Sequence, residues 1–395
     1  MFSQRTNWKL TRNRLTDTLE EVRSSGIRVL DLTLSNPTRA GLRYDSSRIL
    51  ESLASPESMD YDPHPKGLPS ARTAVARYYQ AGHNLPEFNP ESLILTTSTS
   101  EGYSFVFRLL CNPGDELLVP KPSYPLFEFL ADLQDVKLIP YPLIYDHGWQ
   151  MDFPSLEKAV TERTRAVVVV HPNNPTGSFV HAHECKLLNE FCRAHELALI
   201  ADEVFLDYVL DDYLLDRSSP QSFAANQDVL TFTLSGVSKI SALPQMKLAW
   251  IAASGPAAEV QAAMARLEVI ADTFLSMNAP VQWAASALLS LQNSIQRQLL
   301  DRVLANLTEL DRLLAKQKTC ERLIVEAGWY AVLRVPVTQT DEELAVDLLR
   351  KQSVLVHPGH FYDFPRDGYL VLSLITREDE FKEGIERILE FLNDC

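Results

Sequence analysis

The chain has 395 residues, 46% of them hydrophobic and 23% charged, enough for one large or two medium domains around a real core. Its 37 basic residues against 52 acidic ones give a net charge of −15, which argues against nucleic acid or an anionic membrane as partner and requires any anionic ligand to be met by a local positive pocket. The start, MFSQRTNWKL, has no apolar run, no stretch approaches a membrane span, and five cysteines (Cys111, Cys185, Cys192, Cys320, Cys395) lack CxxC spacing, so reduced thiols, no metal site and a cytoplasmic location are expected.

In chain order, the residues to about Asn36 read as an arm and a short helix, and a helical pattern runs from Leu68 to Gln80. Apolar runs then alternate with helical stretches. The expected strands are Ser92–Thr96, Glu116–Val119, Val136–Tyr141, Ala166–Val170, Ala198–Ala201, Val229–Leu234 and Leu248–Ala252. The expected helices are Glu101–Cys111, Tyr124–Asp132, Ala182–His195 and Ala257–Ile270. Such alternation predicts a mostly parallel sheet covered on both faces, a three-layer α/β/α domain. Beyond Pro280 the texture changes. One long helical pattern runs to about Lys316, followed by Leu323–Val325, Trp329–Val335, a helix Asp341–Lys351, Val354–His357, Tyr369–Leu374 and a last helix from Asp379. This reads as a smaller α+β domain.

Four loops follow expected strands, and ligands of open α/β sheets collect at the carboxyl ends of strands. Thr96-Thr97-Ser98-Thr99-Ser100-Glu101 opens a helix, where free backbone N–H groups and the helix dipole can bind a phosphate; a plain N-cap by Ser98 or Thr99 is the alternative. His171-Pro172-Asn173-Asn174-Pro175-Thr176-Gly177 forms a turn able to aim an Asn amide over the sheet at a phenolate oxygen, or is only a turn. Asp202-Glu203 ends a buried strand, where an acid needs a partner; a pyridinium nitrogen suits, as would a metal or an N-cap. Ser235-Gly236-Val237-Ser238-Lys239, with Lys247 behind it, places a lysine where it can form an imine with an aldehyde, unless it is a surface lysine.

In this order and spacing the four loops, with Tyr61…Gly67, Pro113-Gly114-Asp115-Glu116 and Pro122-Ser123-Tyr124-Pro125, resemble the class I/II aminotransferases of fold type I, the aspartate aminotransferase-like family, over nearly the whole chain. The resemblance implies pyridoxal 5′-phosphate (PLP) held as a Schiff base on Lys239, which later serves as acid and base. It implies Asp202 on the ring nitrogen, Asn174 donating to O3′ and Tyr124 stacked on the ring. Ser98, Thr99, Ser100, Ser235, Ser238 and Lys247 form the expected phosphate cup, and Tyr61 reaches the phosphate of a neighbouring subunit, so a homodimer with shared active sites is implied. The implied division is 1–48 for an N-terminal arm and part of the small domain, 49–280 for the large PLP-binding domain and 281–395 for the C-terminal small domain. The expected reaction moves an amino group between a small-molecule amine or amino acid and a 2-oxo acid.

The chain departs from the family pattern at several points. Phe205 stands where Tyr is usual, Gly236 where Ser is, Lys247 where Arg is and Ser35 where Gly is. Ser235 is expected to take over the role of the missing serine. Val371, in Val371-Leu372-Ser373, occupies the place of the arginine that grips the substrate carboxylate. Either Arg39, Arg334 or Arg377 replaces that anchor, Arg334 having the best alternation to face inward, or the substrate binds differently. His360 and Tyr362 are candidates to approach it. The lost anchor gives weight to a PLP-dependent lyase, decarboxylase or synthase on the same scaffold. A PLP-binding regulatory module is disfavoured by the lack of a basic segment.

Overall fold

The computed structural model describes residues 1–125, 127–210, 222–275 and 277–394. The N-terminal segment forms α1 (Arg14–Ser24), β1 (Leu30–Asp31), α2 (Ser46–Leu53) and α3 (Pro69–Gly82). Next come β2 (Leu93–Thr96), α4 (Thr99–Leu110), β3 (Glu116–Lys121), α5 (Phe127–Asp132), β4 (Lys137–Tyr145), β5 (Trp149–Met151) and α6 (Phe153–Ala159). They are followed by β6 (Thr164–Val170), α7 (Ala182–Ala194), β7 (Ala198–Asp202), β8 (Thr231–Gly236), α8 (Val237–Ile240), β9 (Ala249–Ser254) and α9 (Ala257–Thr273). Helices α10 (Ala279–Ser290) and α11 (Gln292–Leu314) lead into β10 (Glu321–Arg322), β11 (Tyr330–Arg334), α12 (Asp341–Asp347), β12 (Val354–Leu355), β13 (His357–Pro358), β14 (Tyr369–Ser373) and α13 (Glu378–Asp394).

Eight strands make one sheet in the order β2-β9-β8-β7-β6-β3-β4-β5. The five central strands, β8 to β4, run parallel, and antiparallel neighbours close both ends. The near-continuous apolar strands follow from burial on both faces. Along β6, Ala166, Val168 and Val170 pack with α4, α5 and α9, while Val167 and Val169 pack with α6 and α7. On that second side, α3 and α10 cover Leu93, Leu95, Trp250 and Ala252. A further core joins Leu15, Val22, Leu30 and Leu32 to Leu299, Val303, Val332, Leu344 and Phe381, so the N-terminal arm and the C-terminal segment are buried together. There β1 pairs with β12, and a second, antiparallel sheet runs β10-β11-β14-β13. Among the described residues no helix is long and apolar enough to cross a membrane.

Several elements differ from expectation. The single helix expected to Lys316 is two helices, α10 and α11. Val281, Ala284, Ala285 and Leu288 face the large-sheet core, whereas Ile295, Leu299 and Val303 face the small-domain core, so the helix breaks where its burial partner changes. Leu323–Val325 is no strand; pairing is displaced to Glu321–Arg322, and Glu326 and Ala327 instead donate to the Gly177 carbonyl. Val354–His357 splits because β12 pairs with β1 while β13 pairs with β14. The expected helix over Asp341–Lys351 ends in a π turn from Leu348. Strand β5 and helix α6 were not anticipated, being too short for a periodic signal. Of the five cysteines, Cys395 lies outside the described residues, and the other four are free.

Candidate functional site

Sheet register draws the four loops to one edge. Thr96 at the end of β2 and Gly236 at the end of β8 both pair with Ala249, the first residue of β9. The turn Thr97–Ser100, helix α8 with Lys239, and Lys247 two residues ahead of β9 are therefore neighbours at that edge. Along the same edge Asp202 pairs with Val170 and Leu234, and its carbonyl accepts from His171 N–H at 2.7 Å. This close approach accounts for Gly236: a Cβ there would lie 2.8 Å from the Ala249 Cβ and 2.9 Å from the Leu248 carbonyl, so the usual serine does not fit.

Lys239 is not a surface lysine. Its Nζ lies 5.0 Å from the Trp329 ring centre and 5.4 Å from that of Phe205, in cation–π range. Burial pushes its amine down to about 8, with the Asp202 charge opposing that shift. Asp202 is buried, and desolvation pushes its carboxyl up to about 6 despite hydrogen bonds from Val204 N–H (3.1 Å) and the Tyr103 hydroxyl (3.0 Å). Neighbouring Glu203 belongs to another network. It accepts from the Ser222 hydroxyl at 2.6 Å and Phe223 N–H at 2.5 Å, and burial raises it to about 7.

The loop after β6 separates its two asparagines. Asn173 is committed internally, its amide donating to the Pro122 carbonyl (3.1 Å) and Thr176 Oγ1 (2.8 Å) and accepting from the Ser123 hydroxyl (3.2 Å). Asn174 is buried, yet its Oδ1 has no partner among the described residues, as expected of an amide held for a ligand. Gly177 fastens the loop. Its φ is +69°, and a Cβ would fall 2.4 Å from the Ala327 carbonyl and 2.3 Å from Val325 Cγ2.

In the turn Thr97–Ser100 the cap reading of Ser98 holds: its hydroxyl accepts from Glu101 N–H at 3.2 Å. The hydroxyls of Thr99, Ser100 and Ser238 make no hydrogen bond to a described residue. Lys247 is exposed and has no ion-pair partner among the described residues. Ser235, by contrast, is buried with its hydroxyl turned to the Glu203 carbonyl (3.4 Å), so its expected role in the cup is not what the geometry supports. Tyr124 and Tyr61 are 41% and 80% exposed; Tyr124 is near enough to Asp202 for that charge to add to the burial that raises its phenol.

Residues 48–388 match the model of the family "Aminotransferase class I and II". The chain belongs to the class I and II aminotransferases. It is 30% identical to alanine aminotransferase of Mycobacterium tuberculosis, over 96% of this chain and 91% of that one. It is 26% identical to glutamate-pyruvate aminotransferase of Escherichia coli, over 95% and 93%. A solved aminotransferase from Escherichia coli matches with a TM-score of 0.87 at 25% identity, covering 100% of this chain and 98% of that one. Alanine aminotransferase from Pyrococcus furiosus shares the fold with a TM-score of 0.88 at 22% identity, each chain fully covered. The protein is thus an enzyme that transfers amino groups, and nothing among these relatives favours a lyase. Aminotransferases of this family generally depend on PLP.

The arginine candidates fare poorly in this aminotransferase. Arg334 does share a sheet face with Tyr330 and Val332, as its alternation suggested, but it sits four residues further along β11, exposed and ion-paired with Glu321. Arg377 pairs with Asp379 at 3.3 Å. Arg39 is exposed and makes no ion pair with a described residue. Val371 is buried opposite Val332 and His357. His360 is exposed, whereas Tyr362 turns inward and meets His357 Nδ1 at 3.0 Å. Two contributors gave no usable signal beforehand. Tyr103 is one tyrosine on a core-facing helix, and Trp329 comes from a remote segment that only folding brings over Lys239.

Proposed function

We propose that this aminotransferase holds PLP on Lys239 and moves an amino group from an amino acid of the alanine or glutamate type to a 2-oxo acid. The observation that carries this reading is the Lys239 amine, shielded by Trp329 and Phe205 and electrostatically coupled to the buried carboxylate of Asp202. The residues fit the cofactor: a buried carboxylate with no cation in hydrogen-bond contact among the described residues, an asparagine whose amide NH2 makes no hydrogen bond to a described residue and so can donate, and a helix start with unengaged hydroxyls. Bound there, PLP would supply the electron sink that lets an amino acid lose its α-proton.

The chain's own groups do the rest. Asp202 would face the ring nitrogen, and a cation at that place would offset the desolvation that raises its carboxyl. Tyr103 holds one oxygen of that carboxylate in position. Lys239 Nζ, lowered towards neutrality by burial, is suited to take up a proton and to return it. Asn174 would meet the ring's phenolic oxygen. It would act without a tyrosine beside it, since Phe205 fills that place and packs edge-on against Trp329 at 5.2 Å. Tyr124 would cover the ring, and Thr99, Ser100, Ser238 and Lys247, with the N–H groups of α4, would hold the phosphate.

Tyr61, left on the surface of one chain, would complete the site of a second copy in a homodimer. The core that joins residues 15–40 to residues 295–392, with Trp149, Phe205, Tyr208 and Ala242 packed into it, supports a small domain made of 1–48 and the chain from α11 onward; α10 packs on the large sheet, so the boundary expected at 280 moves to about residue 291, with the PLP-binding domain before it. A cytoplasmic location is part of this reading, supported by the free cysteines without CxxC spacing.

The test is spectroscopic. PLP-loaded protein should lose the cofactor's visible band on adding L-alanine or L-glutamate and regain it on adding a 2-oxo acid. Lys239→Ala should show neither the starting band nor turnover. A band that persists while the donor is cleaved would mean a lyase instead.

A further inference from the structure

One face of the small-domain sheet packs through Tyr330 against Phe205, whose ring lies 5.4 Å from Lys239 Nζ. In register, that face carries Tyr330, Val332 and Arg334 from β11, Ser373, Val371 and Tyr369 from β14, and His357 from β13. Its only cation, Arg334, is at the far end and ion-paired. Lys121, which lines a hollow with Tyr124, is likewise taken, by Asp363 at 3.0 Å. A substrate carboxylate entering here therefore finds no unpaired guanidinium or ammonium on these strands, yet it needs hydrogen-bond donors.

The donors on this face are phenols. The Tyr330 ring packs edge-on against Phe205 at 6.2 Å, one ring away from Lys239 Nζ. The residue is only 7% exposed, yet its hydroxyl makes no hydrogen bond to a described residue. Tyr362 is anchored beside Tyr124 by Ser123 N–H, which donates to its carbonyl at 3.0 Å, and its hydroxyl contacts His357 Nδ1 at 3.0 Å. With the imidazole proton on Nδ1, His357 donates to Tyr362 and leaves the phenol proton free to donate onward. Burial, and to a lesser extent the neighbouring phenols, pushes Tyr330 and Tyr362 above the ordinary tyrosine range, so both stay protonated and able to donate.

We propose, on the reading of Lys239 as the reactive amine, that the phenolic hydroxyls of Tyr330 and Tyr362 receive the substrate carboxylate in place of an arginine, with His357 positioning Tyr362. The site then takes a monocarboxylate end through neutral donors.

The test uses PLP-loaded full-length enzyme with L-alanine as donor, ethylamine as its carboxylate-free counterpart and propionate as the amine-free competitor. Tyr330→Phe and Tyr362→Phe should each raise KM for L-alanine and Ki for propionate about 10-fold or more, the usual loss for a hydrogen bond to a charged group. The cofactor band and the slow reaction with ethylamine should stay unchanged. His357→Ala should mimic Tyr362→Phe, and His357→Gln, which keeps a partner for the phenol, should restore part of the loss. The proposal is overturned if both phenylalanine variants leave KM and Ki within about 2-fold, if ethylamine and L-alanine suffer equally, or if Arg39→Ala alone abolishes propionate binding. Failure of the underlying reading would look different, since the wild type itself would then show no cofactor band.

Discussion

Asp202→Asn is expected to stabilise the cofactor-free protein at neutral pH while weakening its hold on PLP. Burial moves the Asp202 carboxyl from 3.8 to about 6. The folded form therefore keeps its proton up to about pH 6, while the unfolded chain loses it near 3.8. Between those values the folded state binds more protons, so stability falls as pH rises through the window. The penalty is absent below the lower value and complete above the upper one, where it amounts to about 3 kcal/mol. Asparagine has the same shape, can still accept from Val204 N–H, and lets the Tyr103 hydroxyl turn to accept from the amide. Urea unfolding of the cofactor-free proteins should show the variant ahead by about 1–3 kcal/mol near pH 7.5, the gain shrinking towards zero near pH 4. Adding PLP should reverse the order, because only the carboxylate can answer a protonated ring nitrogen. An advantage equal at both pH values, or a variant less stable at neutral pH, would refute the account of a carboxylate kept unpaired for the cofactor.

Phe205→Tyr would restore a phenol next to the reactive amine; the pH at which the loaded enzyme's visible band changes form is expected to fall, read by spectrophotometric titration. Gly177→Ala places a methyl against the Ala327 carbonyl at positive φ and should cost about 2 kcal/mol or more in denaturant unfolding, with Asn174 displaced and PLP bound more weakly. Tyr61→Phe should leave the fold intact and lower PLP affinity, and sedimentation should find the native protein as a dimer, whereas a monomer with full cofactor affinity would remove any role for this tyrosine.

The residues of the candidate site could be picked out in the sequence because they sit in contiguous strings. HPNNPTG, ADEV and the serine–lysine loop each follow an apolar run, and a run that ends at the carboxyl edge of a parallel strand brings its loop to the shared crevice. Alternating apolar runs and helical periods likewise determined the three-layer large domain, since strands buried on both faces leave a pattern that amphipathic helices do not. Tertiary structure decided what depends on residues far apart in the chain. Which asparagine is committed inside the loop, that Tyr103 holds Asp202, and that Trp329 covers Lys239 all follow from packing between distant segments. Arg334 shows the limit most directly. Alternation puts it on the face of Tyr330 and Val332, but its side chain is exposed and not inward, because a period of two residues carries no information about distance along the strand or about Glu321 waiting at its end. The break between α10 and α11 has the same origin, because a helical stripe reports that a face is buried but not against which core.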